Sequence, residues 1–216
     1  MMLFQDRVDA GRQLSKKLLS FKGDPDLIVL GLPRGGVVVA AEVAQALQAP
    51  LDIVVPRKVG HPENPELAIG AISEEGERVF QDTFLSLISE EYLRSEIEKE
   101  KKEAQRRLKV YRGDHPPLTL KNKTAILVDD GIATGATMRA GILSARRKGA
   151  QRVTVAAPVV APDTLRVLRG EADDVVFLDA PESFGAVGMF YLSFEQTSDD
   201  EVIEILRKHK KAGSNR

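Results

Sequence analysis

The sequence predicts an α/β fold: a mainly parallel sheet with helices on both faces. Three observations carry that expectation. Short apolar runs alternate with segments of helical spacing along most of the chain. One run, Ala125–Val128, passes straight into a loop of small residues and then a helix-spaced segment. Hydrophobic residues make up 43% of the 216, enough for one domain with a real core.

The elements follow in order. Gln5 to Phe21 has helical spacing, with Val8, Leu14, Leu18 and Leu19 near one face. Leu27–Leu30 is a short strand running into GLPRGG, and Val37–Leu47 is a helix. Leu51–Val55 is a second strand, ended by Pro56. A glycine- and proline-containing stretch, VGHPENPELAIGAISEEGE, follows. Phe84–Tyr111, the most charged segment, reads as a long helix or helix pair, supported by Glu-to-Lys spacings such as Glu98 to Lys102. Pro116 and Pro117 mark a loop. Ala125–Val128 is the third strand, and Thr137–Lys148 a helix stopped by Gly149. Val153–Val160 and Val175–Leu178 are strands on either side of a short helix, Asp163–Arg169.

Composition excludes several classes. The formal net charge of −1 points to neither nucleic acid nor an anionic membrane. With no cysteine, disulfides, thiolate metal sites and cysteine nucleophiles are absent. The start, MMLFQDRVDAGRQLSKK, lacks a leader's apolar core, and no run approaches the ~18 residues of a membrane span. A soluble cytoplasmic protein is expected.

The segment AILVDDGIATGAT, Ala125–Thr137, raises the functional question. A strand–loop–helix passage brings backbone N–H groups to a helix N-terminus, where an anion is favoured. Gly131 and Gly135 allow close backbone approach, and Thr134 and Thr137 offer hydroxyls. Neither a P-loop nor a dinucleotide fingerprint is present. By itself this is an ordinary βα turn. Two acids beside an anion loop repel the anion. The pairing becomes sensible if the ligand also brings hydroxyls or Mg²⁺, as a ribose 5-phosphate unit does.

This segment closely resembles the PRPP-binding motif of type I phosphoribosyltransferases: apolar strand, two acids, then a small-residue loop ending T-G-x-T. The resemblance implies a Rossmann-like core over about residues 27–180. A small hood would come from the N-terminal helix and about 181–212, within a single domain of 1–216. It implies that Asp129 and Asp130 bind the ribose hydroxyls, and that Gly131, Ala133, Thr134, Gly135, Ala136 and Thr137 hold the 5-phosphate. GLPRGG lies where the family has its pyrophosphate loop: Leu32, Pro33, Arg34, Gly35 and Gly36. Glycines expose N–H groups there, and Arg34 offers a planar fork. Alone, that stretch would read as a tight turn with a surface arginine. PRKVG resembles the Arg-Lys pair beside the pyrophosphate, which adds Arg57 and Lys58; otherwise it is a solvated strand end.

The following stretch, residues 61–76, is expected to be the flexible catalytic loop, with His61, Glu63 and Glu66 as candidates. Ala133 stands where many 6-oxopurine members carry an acid, which argues for adenine- or uracil-type relatives. Aromatics are 5% of the chain, yet Phe184, Phe190, Tyr191 and Phe194 cluster in the tail. Phe184 and Tyr191 are candidates to stack on an acceptor base, against a plainer role in packing the hood. His115 and His209 receive no role.

The implied function is transfer of the 5-phosphoribosyl group from Mg²⁺–PRPP to a nitrogenous base with release of pyrophosphate. Asp129, Asp130, Arg34, Arg57 and Lys58 would be the catalytic set. Mg²⁺ would be held mainly through PRPP, with a contact from Asp129 or Asp130 through water left open. A homodimer is compatible, and no DNA or membrane partner is expected. One rival is a non-catalytic PRPP or nucleotide sensor, which could meet RNA through Arg106, Arg107, Lys109 and Arg112, although neighbouring glutamates favour a solvated helix face. Another is a two-acid, metal-dependent sugar-phosphate hydrolase.

Overall fold

A computed structural model describes residues 3–80, 88–113 and 118–213. The helices are α1 (Arg7–Lys17), α2 (Gly35–Leu47), α3 (Glu90–Arg112), α4 (Ala136–Arg147), α5 (Pro162–Glu171) and α6 (Asp199–Gly213). The strands are β1 (Leu27–Gly31), β2 (Leu51–Ile53), β3 (Arg57–His61), β4 (Asn64–Ile72), β5 (Arg78–Phe80), β6 (Thr124–Val128), β7 (Arg152–Val159) and β8 (Asp174–Asp179). The main sheet runs β2-β1-β6-β7-β8, parallel throughout, as expected. Its order changes direction between β1 and β6, and in such sheets the crevice beyond the strand ends at that point takes ligands.

Side-chain alternation along the strands builds two cores. In β6, Ile126 and Val128 face α2 and α6, while Ala125 and Leu127 face Met138 and Ile142 of α4. Helix α1, assigned to the hood by sequence, packs along α2 and against β7 and β8. Its start and the residues before it reach the tail, where Phe4 bridges to Tyr191.

In the glycine- and proline-containing stretch after β2, which includes the expected flexible loop over residues 61–76, β3, β4 and β5 pair into an antiparallel sheet. Its residues Val59, Ile69 and Ile72 are buried against Ile88 and Ile97, so the segment has an apolar face to bury. The charged tail ends in helix α6, which places Val202 and Leu206 in the main core. Ser198 and Glu201 form a capping box before it: the Ser198 hydroxyl accepts from the Glu201 N–H at 3.2 Å, and the Glu201 carboxylate accepts from the Ser198 N–H at 2.7 Å. The long charged helix is present as α3; its expected start, residues 84–87, lies outside the described residues. Among the described residues no helix is long and apolar enough to cross a membrane.

Candidate functional site

Strand β6 ends at Val128, and the two aspartates follow at the sheet's C-terminal edge. The loop beyond them is held from β7: Ile132 N–H donates to Val159 O at 2.9 Å, and Ala161 N–H donates to Ile132 O at 2.9 Å. The Thr164 hydroxyl, at the start of α5, donates to Ala133 O at 2.5 Å. Gly135 sits immediately before α4 with φ +74, a left-handed conformation that only glycine adopts cheaply. The loop therefore reaches the N-terminus of α4 with its backbone fixed on one side and open on the other.

The loop after β1 closes the opposite wall. Leu32 N–H donates to Val128 O at 2.9 Å, which ties the two strand ends together. The Pro33–Arg34 peptide is cis. Gly35 and Gly36 lie directly against the acids: a Cβ on Gly36 would stand 2.8 Å from Asp129 Oδ1, and one on Gly35 would overlap Asp130 Oδ2. Between these walls is a cleft of about 300 Å³. Leu32, Pro33, Arg34 and Gly35 line one side, and Asp129, Asp130, Gly131, Ala133, Thr134, Gly135 and Thr137 line the other. Lys58 reaches in from β3, and Val187 closes the tail side. Gly36 and Ala136 stand behind this surface, Ala136 buried against β4 and β5.

Electrostatics in the cleft are mixed. Burial, followed by the charge of Asp130, pushes the Asp129 carboxyl well above its ordinary value. The Asp130 N–H donates to Asp129 Oδ1 at 2.9 Å and opposes that shift, as does Lys58. Arg34 Nη1 lies 3.8 Å from Asp199 Oδ1 at the start of α6. Asp199 also accepts from the Tyr111 hydroxyl at 2.7 Å, and burial and Asp199 together push that phenol up to about 12. Among the described residues no group of three or more His, Asp or Glu could hold a metal ion. A divalent ion here would take one or two carboxylates and draw its other oxygens from ligand and water, which suits hydrated Mg²⁺.

Several expected residues stand elsewhere. Arg57 faces away from the cleft, and its Nε donates to Glu100 Oε2 at 2.7 Å. Strand alternation explains this: neighbours Arg57 and Lys58 in β3 point to opposite faces, and only Lys58 can share the cleft. Tyr191 is not presented for stacking. It is 6% exposed, and its hydroxyl donates to Asp130 O at 2.5 Å. Phe184 packs on Phe190, with centroids 5.3 Å apart. At the β3–β4 turn Glu63 N–H donates to His61 Nδ1 at 3.2 Å, and neither residue lines the cleft. The Glu66 side chain and His115 lie outside what is described. The basic end of α3 is compensated: Glu103 accepts from Arg106 and Arg107, which hold it down to about 2, and Arg112 pairs with Asp52 at 2.6 Å.

Sequence reasoning missed Arg7 and Thr164. Arg7 Nε donates to Asp130 Oδ2 at 2.7 Å, from a helix more than a hundred residues away in sequence. Neither residue carries a local signal, because each meets the site only through the tertiary fold.

Known proteins resemble this chain in sequence and fold. Residues 4–192 match the family pattern described as "Phosphoribosyl transferase domain". Proteins from two strains of Mycobacterium tuberculosis, each named "Putative phosphoribosyl transferase", are 47% identical over 213 residues, 97% of this chain and 48% of theirs. The chain thus spans about half the length of these curated relatives. The crystal structure of TT1426 from Thermus thermophilus is 42% identical, covers 96% of this chain and 99% of its own, and superposes with a TM-score of 0.81. With that family pattern matched over most of its length and a five-stranded parallel sheet in place, the chain belongs to the phosphoribosyl transferase domain family.

Proposed function

We propose that this chain transfers the 5-phosphoribosyl group of Mg²⁺–PRPP to a nitrogenous base and releases pyrophosphate. One observation carries the reading: the acid pair, the loop before α4 and the glycine loop after β1 line a single cleft. The acceptor nitrogen gives its electron pair to the anomeric carbon. The C–O bond breaks with its pair going to pyrophosphate, and the proton on the acceptor passes to solvent.

The residues divide this work. Backbone N–H groups of 133–137 and the Thr134 and Thr137 hydroxyls hold the 5-phosphate at the helix N-terminus. Asp129 and Asp130 accept from the ribose hydroxyls and stabilise the positive charge that develops on the sugar. Arg34 and Lys58 face the leaving pyrophosphate. Bound Mg²⁺ would supply further charge neutralisation on the phosphate oxygens. Arg57 acts at one remove, by tying β3 to α3.

The test is pyrophosphate release from Mg²⁺–PRPP across a panel of purine and pyrimidine bases. Acceptor-dependent release, lost in Asp129→Asn with Asp130→Asn, is expected. Donor binding without turnover on any base would favour the sensor, and phosphate release with no acceptor the hydrolase.

A further inference from the structure

Arg7 stands in the first turn of α1, and both partners of its ion pair with Asp130 are withdrawn from water, at 12% and 15% exposure. Its Nη1 donates to the Glu195 carbonyl at 2.7 Å, and its Cζ lies 3.9 Å from the centre of the Phe194 ring. The pair also packs against the loop after β1. A Cβ on Gly35 would overlap Asp130 Oδ2 and stand 2.6 Å from Arg7 Nε. The cation therefore sits where the acid pair, the glycine loop and the tail meet. A guanidinium, planar and carrying five donors, suits bonding a carboxylate, bonding a carbonyl and stacking on a ring together.

Charge makes this more than an anchor. Counted as ionised, the cleft lining sets Arg34 and Lys58 against Asp129 and Asp130, two against two. On that count side-chain charge alone gives a donor bearing a phosphate and a pyrophosphate no net attraction, and the backbone N–H groups before α4 carry the rest. Arg7, behind Asp130, tips that balance to positive at the acid nearest it. We propose that Arg7 is a positioning residue for the donor. It offsets part of the Asp130 charge and fixes its carboxylate through Oδ2, so that a polyanionic sugar phosphate is held beside two acids. The proposal rests on the reading of the cleft as a PRPP site. Arg7 acts through Asp130 and touches no substrate.

A purely structural role has a built-in control. The Tyr191 hydroxyl anchors the tail to the same residue, through the Asp130 carbonyl at 2.5 Å, and carries no charge. The experiment titrates Mg²⁺–PRPP calorimetrically into the wild type, Arg7→Met, Arg7→Lys and Tyr191→Phe, with a melting temperature for each. Arg7→Met is expected to bind the donor about tenfold more weakly or worse, the loss usual for a charged hydrogen bond. Tyr191→Phe is expected to lose stability with little change in affinity, and Arg7→Lys to recover part of the binding. In turnover, KM for the donor rises more than kcat falls. If Arg7→Met does not fold, Arg7→Gln, a neutral donor, takes its place under the same expectations. Unchanged or tighter donor binding without the cation overturns the proposal. So does a loss matched by Tyr191→Phe with no recovery in Arg7→Lys. A wild type that binds no Mg²⁺–PRPP overturns the reading of the cleft itself.

Discussion

Replacing Gly135 with alanine isolates what holds the loop before α4 in shape. Two costs can be worked from the structure. The residue has φ +74, where an L side chain costs about 1–2 kcal/mol. The new Cβ would also collide with the Thr164 methyl. If Thr164 moves, its hydrogen bond to the Ala133 carbonyl is lost, at about 1 kcal/mol. Together these give ~2–3 kcal/mol, or a fall in melting temperature of roughly 4–12 °C for a chain of this size. Thermal unfolding followed by circular dichroism measures it. The collision can be relieved separately: Thr164→Ser removes the methyl and keeps the hydroxyl. The double variant Gly135→Ala/Thr164→Ser should therefore regain about 1 kcal/mol and retain the backbone cost. A single variant melting within a degree of the wild type would refute the reasoning. A double variant no better than the single would refute the Thr164 part.

The remaining predictions follow from charge. The folded Asp129 carboxyl lies above its ordinary value of 3.8, so the folded state keeps a proton that the unfolded chain releases. That contribution to stability is complete below the ordinary value and is lost as pH rises through the folded one. Asp129→Asn, whose Oδ1 can still accept from the Asp130 N–H, should thus melt higher than the ligand-free wild type at neutral pH. The gap should shrink on acidification; no gap at any pH would contradict the assigned cause. Lys58→Ala should lower turnover by roughly 10²–10³, the range for removing one preorganised charge-stabilising group. Arg57→Ala should act differently: it leaves Glu100 unpaired, lowers stability by about 1–3 kcal/mol and leaves donor affinity near wild type. Melting curves and calorimetry on the two variants, side by side, check both.

Legibility in the sequence followed contiguity. Strand, acids, loop and helix from Ala125 to Thr137 are consecutive, so their juxtaposition is fixed by local structure. The parallel sheet was readable for the same reason, since its strands are short apolar runs set between helices. Arg57 and Lys58 are adjacent in sequence, but their separation depends on β3 being a strand, at the start of a stretch whose glycines and prolines suit a flexible loop. Helix α6 could have been found from its capping box, Ser198 to Glu201, and from the spacing of Val202 and Leu206. Tyr191 reads in sequence as a stacking candidate, whereas burial and one hydrogen bond make it an anchor. Arg7 and Thr164 have no such signal. Each owes its place to the packing of a distant helix against the end of β6 or β7.

A crystal of the chain grown with Mg²⁺–PRPP tests the central claim most directly. The account predicts the 5-phosphate on the backbone of Ala133–Thr137 and the ribose hydroxyls on Asp129 and Asp130. The pyrophosphate should lie between Arg34, Gly35 and Lys58, with Arg57 still on Glu100. A donor bound elsewhere, or the acid pair and loop left empty at saturating donor, would contradict it.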